Sequence, residues 1–124
     1  MNKFQRFAIY MTVFASMSFD ALSDEGALAN GEYKLKWTSP ADGSDVVNIK
    51  TRLSVETGTI VAPGADIAWH AHRNEFFGWQ DSDGGCFYKG TLVASGGGAI
   101  GHVFCGLKHF PTEKVASFDF ALTR

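Results

Sequence analysis

Two histidines at alternate positions, His70-Ala71-His72, are the residues in this chain with the clearest chemical promise. On a β-strand, positions i and i+2 point to the same side, so the two imidazoles lie next to each other. Neutral imidazoles so placed can chelate a divalent transition metal such as Zn, Cu, Ni or Fe. His102 shares a strand face with Ile100 and Phe104, an apolar face expected to turn inward. A cluster of His70, His72 and His102, with Glu75 or Asp66 beside it, would supply the three or four ligands that a metal site needs. The plainer alternative is an exposed polar strand face. His109 falls in a loop.

Aromatic residues offer a second kind of chemistry. Trp69, Phe76, Phe77, Trp79 and Tyr88 lie within one short stretch. They could line a ligand cavity or a partner-binding face, because large amphipathic rings dominate such surfaces. Their other use is a hydrophobic core. Nucleophilic catalysis has little support: no serine stands in a strand-to-helix elbow. The carboxylates of Asp81-Ser82-Asp83-Gly84-Gly85 read as a turn, since a Ca²⁺ loop needs further oxygen ligands at fixed spacing. The run Gly96 to Gly98 is a turn device, because neither a helix nor a Lys-Ser/Thr pair follows it.

Positioning these residues requires strands, and the two cysteines say how two of the strands meet. Cys86 to Ala94 and Gly98 to Cys105 both read as strands. If Ser95-Gly96 is a two-residue hairpin loop, Ala94 pairs with Gly97, Leu92 with Ala99, Gly90 with Gly101 and Tyr88 with Val103. Cys86 then falls opposite Cys105. Directly opposed strand residues satisfy the Cα separation of ~4.4–6.8 Å that a disulfide requires. Turn chemistry and cysteine spacing therefore predict one register and one bridge, contributing about 3 kcal/mol in the chain-entropy account.

The rest of the chain alternates in the same manner. Tyr33, Leu35 and Trp37 oppose Glu32, Lys34 and Lys36, and Val47, Ile49, Thr51, Leu53 and Val55 oppose Asn48, Lys50, Arg52, Ser54 and Glu56. Thr59 to Ala62 forms a short strand before Pro63-Gly64. Asp66 to Phe77 is less regular, and Phe76, Phe77 and Trp79 make an aromatic knot around Gly78. Phe118, Phe120 and Leu122 alternate in a last strand. About seven or eight short strands separated by turn signals predict an all-β fold, a small antiparallel β-meander closed into a barrel or flattened into a sandwich.

Composition agrees. Hydrophobic residues make up 45% of the chain, enough for a core, and Gly is abundant at 14 residues. A formal net charge of -2 without a run of Lys or Arg provides no footprint for nucleic acid. Lys3 and Arg6, the apolar run Phe7 to Phe19 and the small residues of Ala21-Leu22-Ser23 have the order of a secretory signal peptide spanning 1–23, with an alternative cut after Ala29. The expected mature protein is a single all-β domain, 24–124, periplasmic or secreted, stapled by its disulfide and without a transmembrane segment.

Ile60 to His72 resembles the first motif of the cupin family, in which a glycine, here Gly64, precedes His-x-His by five residues. The resemblance implies a β-barrel whose histidines, His70 and His72 here, bind one metal with a glutamate and a later histidine. Glu75 follows after two intervening residues where the family has three or four. His102 lacks the proline before it and the asparagine after it. The second half, rich in glycine and ending in a Phe-rich strand, looks like short exported β-meander barrels, a likeness of fold that assigns no function. The favoured expectation is a non-catalytic binding module without a cofactor. Its partner would be a small molecule or an envelope or extracellular protein. The alternative is a cupin-like metalloprotein.

Overall fold

Alternation of apolar and polar residues creates strands with one wet face, and such strands must curl around a common core or stack in pairs. Here they curl. In the computed structural model, which describes residues 28–94 and 97–124, eight antiparallel strands close into one barrel in sequence order. They are β1 (Gly31–Thr38), β2 (Asp45–Ser54), β3 (Thr59–Ala62), β4 (Ala65–His72), β5 (Glu75–Gln80), β6 (Cys86–Leu92), β7 (Gly98–Cys105) and β8 (Ala116–Thr123), with a 3-10 turn at Leu107–His109 before β8. The sandwich alternative is thereby settled in favour of the barrel. The expected signal peptide, 1–23, and the expected Ser95-Gly96 loop lie outside the described residues.

The predicted register of the central hairpin is the observed one: Cys86 opposes Cys105, Tyr88 opposes Val103, Gly90 opposes Gly101 and Leu92 opposes Ala99. The Val93 amide donates to the Gly98 carbonyl at 2.9 Å, which carries the register to the loop. Cys86 and Cys105 are disulfide-bonded. Beyond the bridge, the amides of Gly106 and Leu107 donate to the Gly85 carbonyl, so the β5–β6 loop and the 3-10 turn are held together at that end of the barrel.

The less regular stretch from Asp66 to Phe77 resolves into a tight hairpin. Arg73 and Asn74 turn it, with Arg73 in the left-handed region at φ 59°. No glycine marks this turn, which is why the sequence conceals it. Val55, expected to continue β2, lies outside the strand and is exposed.

Inward side chains fill the barrel. Tyr33, Leu35 and Trp37 of β1 meet Leu53, Ile60, Ile67, Phe76, Tyr88, Val103, Phe120 and Leu122. Phe118 stacks on Trp37 with ring centroids 5.4 Å apart. Leu28, ahead of β1, joins this core. One lateral row is built of Gly90, Gly101 and Phe120 on β6, β7 and β8. Both glycines are placed where a Cβ would run into the neighbouring strand's backbone, so β6 and β7 approach more closely there than side chains permit.

Candidate functional site

Inner and outer faces sort the predicted site residues. His70 and His72 project from the outer face of β4 and are exposed. Their rings are nearly parallel, with centroids 6.5 Å apart. His102 also projects outward. It is exposed, against the expectation of an inward face. The reason is strand parity: Cys105 and Val103 point inward, so His102, Ile100 and Phe104 must point out.

The register then separates the histidines. His70 pairs with Phe77, Phe77 with Lys89 and Lys89 with His102. Three strand spacings lie between the two imidazoles, about 14 Å at ~4.8 Å each. His102 instead meets Asp119 on β8, with Nδ1 and Oδ1 2.9 Å apart. Glu75 stands opposite His72 across the β4–β5 hairpin, while Asp66 lies further along β4. Among the described residues no three His, Cys, Asp or Glu side chains are gathered to hold a metal ion.

The aromatic set divides as well. Phe76 and Tyr88 are each only 1% exposed and belong to the core. Trp69 lies inward and part-buried, stacked on Phe76 at 6.1 Å, with its indole N–H donating to the Ser54 carbonyl at 3.2 Å. Phe77 and Trp79 lie on the outside, where Trp79, Phe87 and Phe104 form one lateral row across β5, β6 and β7. Phe77 and Phe87 stack at 6.4 Å. Trp79 is 39% exposed and rests over Gly85, where a Cβ would lie 2.9 Å from the indole.

A broad depression of about 710 Å³ follows this outer face over Lys89, Thr91, Ile100, His102 and Asp119. It contains one organised polar pair, His102 with Asp119. Both side chains are largely exposed, so water screens the pair, and it has no hydroxyl or thiol nucleophile hydrogen-bonded to it among the described residues.

Concavity with buried polar groups occurs elsewhere, where the wall of the barrel is incomplete. The interior itself is closed: Leu35, Ile67, Phe76, Tyr88, Phe120 and Leu122 meet without room for a water molecule. The β3–β4 hairpin, however, is short. β2 pairs with β1 from Asp45 to Leu53 but with β3 only over Arg52–Ser54. Below the Pro63-Gly64 turn the β1–β2 hairpin therefore projects without a strand neighbour, among the described residues, on the β3 side. The gap is a notch of about 320 Å³. Its apolar wall is Leu35, Trp37, Val47 and Ile49, its floor is the β3–β4 turn, and its polar rim is Gln80, Ser82 and Asp83.

The rim is hydrogen-bonded into a fixed shape. Gln80, which is buried, donates from Nε2 to Ser82 Oγ at 3.1 Å and to Asp83 Oδ2 at 3.0 Å. Its Oε1 accepts from the Tyr88 hydroxyl at 2.8 Å. Trp37 packs edge-on to Tyr88, with centroids 6.0 Å apart. The indole Nε1 of Trp37 is buried and completes no hydrogen bond. It lies beside the Tyr88 hydroxyl, too poorly aligned for a good hydrogen bond but close enough to moderate the rise in that group's pKa. The Trp37 indole N–H is thus buried beside Tyr88 and has no solvent exposure in the notch.

Burial drives the Tyr88 phenol well above its ordinary value of 10.0, with the carboxylate of Asp83 adding to the rise. An acid whose pKa is raised by folding stabilises the fold fully below its unfolded pKa and loses that contribution as pH climbs from the unfolded value toward the folded one. Stability is therefore expected to fall above about pH 10, by up to ~1.4 kcal/mol per pH unit from this group. Urea titrations between pH 8 and 11.5 check this, and Tyr88→Phe should flatten the slope while losing some stability at neutral pH. An unchanged slope in that variant would show that Tyr88 does not carry the effect.

Among the described residues no helix is long and apolar enough to cross a membrane. No protein-family model, curated protein or solved structure matches the chain.

Proposed function

We propose that this protein is an exported, non-catalytic binding module and that the notch beside β2 is its binding site. One observation carries the reading: inner-face side chains that a complete barrel would cover, Val47 and Ile49, stay partly exposed along an open stretch of the wall. Apolar walls with a few fixed polar groups, at the mouth of a small barrel, are the usual form of a ligand site. The volume suits a compact apolar group.

The alternative, a cupin-like protein holding a divalent transition metal, keeps only His70 and His72 on the open surface. Two ligands are fewer than the three or four by which proteins hold such metals.

A titration of ¹⁵N-labelled protein with N-acetylvalinamide tests the notch. The Trp37 indole, Val47, Ile49 and Gln80 signals are expected to shift together, and Ile49→Glu, which places a carboxylate on the apolar wall, should weaken binding about tenfold or more. Shifts centred on Phe77 and Trp79 instead would move the site to the outer aromatic band and end this reading.

A further inference from the structure

The notch has a second property that bears on what enters it. Its β2 wall is an unpaired sheet edge. From Asp45 to Thr51, β2 has β1 as its strand partner on one side and, among the described residues, no strand on the other. Pro63 ends the possibility of extending β3 along it, because proline has no N–H to donate. The edge is also rich in strand-forming residues: Val46, Val47, Ile49 and Thr51 are all β-branched, and Val46 is 48% exposed on the outer face. Free N–H and C=O groups in an extended row are satisfied by one kind of partner, another extended backbone.

The surroundings restrict that partner. An added strand would place alternate side chains inward, against Val47, Ile49 and Trp37, and the others outward beside Val46 and Lys50. Across the notch, Asp83 lines its rim, and a shallow acidic extension of about 570 Å³ continues over Asp66 and Asp81. Asp81 is paired with Lys108 at 2.9 Å, whereas Asp66 and Asp83 stand outside the ion pairs formed among the described residues. A basic side chain on the incoming segment would be favoured there.

We infer that the free edge of β2 is a strand-addition site whose partner is an extended polypeptide segment with alternating apolar and basic side chains, one apolar side chain filling the notch. The inference rests on the notch being the binding site and names the class of ligand. Main-chain hydrogen bonds supply affinity in this mode, and the notch supplies selection.

The probe is acetyl-Val-Lys-Val-Lys-Val-amide, used with the ¹⁵N-labelled protein beside N-acetylvalinamide. Two further peptides carry N-methyl groups on the valine amides or on the lysine amides, so that one of them blocks the peptide edge facing β2. At saturation the parent peptide is expected to shift the Trp37 indole and to slow hydrogen exchange about tenfold or more at β2 amides of the free edge. One methylated peptide should bind about tenfold or more weakly, since two or three hydrogen bonds of ~1 kcal/mol each are lost. The other should bind like the parent.

Equal binding by both methylated peptides overturns strand addition and leaves side-chain docking in the notch. So does binding of N-acetylvalinamide without the parent peptide. Exchange protection of the same β2 amides that grows with protein concentration, without peptide, gives the edge to a second copy and overturns the inference. If neither probe moves Trp37 or β2, the notch reading fails with it.

Discussion

Gly101→Val is expected to destabilise the protein by about 3 kcal/mol or more, although valine is a far better strand former than glycine. A Cβ at Gly101 would be driven into the Lys89 carbonyl and the Gly90 Cα of β6. At Gly90 it would stand 2.9 Å from the Ile100 carbonyl carbon and 3.0 Å from Phe120 Cζ. The obstacles are mainly backbone, which cannot swing aside as a flexible side chain can. β6 and β7 would have to part in the middle of the wall, and Phe120 would lose its seat. Strand propensity alone predicts a gain of less than ~1 kcal/mol, so the sign of the change decides between the two effects. A fall in Tm of about 12–24 °C corresponds to such a loss in a domain of this size. Thermal unfolding followed by circular dichroism measures it. A variant with unchanged or raised Tm would show that the two strands have slack.

Removing the bridge should have a comparable effect. For Cys86→Ala/Cys105→Ala the loss is expected to be about 3 kcal/mol, the loop-closure value for a bridge spanning a sequence separation of 19. The damage should be greatest at one end. The bridge adjoins the contacts in which Gly106 and Leu107 donate to the Gly85 carbonyl and Lys108 donates to that of Gly84. Amides of this loop cluster should lose exchange protection before those of β1 and β8. Urea unfolding of the double variant gives the global number, and native-state hydrogen exchange gives the distribution. A loss under ~1 kcal/mol would mean that hydrogen bonds and packing already hold the β6–β7 hairpin closed without the bridge.

How much of this was readable before the structure depends on how locally each feature is determined. The β6–β7 hairpin was readable because two independent constraints, a turn sequence and a cysteine pair, agree on a register. β1 and the alternating half of β2 were readable because polar and apolar residues alternate without interruption. The β4–β5 hairpin was not, because its turn uses Arg73 and Asn74 and its strands carry aromatics on both faces. The apolar neighbours of His102 suggest an inward face, whereas the parity of inward Cys105 on the same strand requires an outward one. Phe76 and Phe77 are adjacent in sequence and lie on opposite faces, so no composition argument could assign them to one site. The notch is a relation between strands: it exists because β3 stops at Ala62 while β2 begins at Asp45. Both ends have local causes, Pro63 at one and the loop in which the Ser39 amide donates to the Ser44 carbonyl at the other, but their mismatch appears only when the strands are laid next to each other.

The wall of this barrel is closed by β1 pairing with β8, Lys34 opposite Thr123 and Thr38 opposite Asp119. Every other pairing among the described strands joins neighbours in sequence. Assembly of the described strands thus has one seam that must wait for β8, and the entropy of closing so long a loop falls on that step. Until it closes, β1 and β8 are two open edges, the state in which a β-protein is most vulnerable to pairing with its own copies. The Cys86–Cys105 bridge lies within a single local hairpin and has no such dependence. Oxidation can therefore fix the β6–β7 hairpin, two of the eight strands, while the seam is still open. Arg124, whose guanidinium lies 5.0 Å over the Tyr33 ring, latches the seam when β8 arrives.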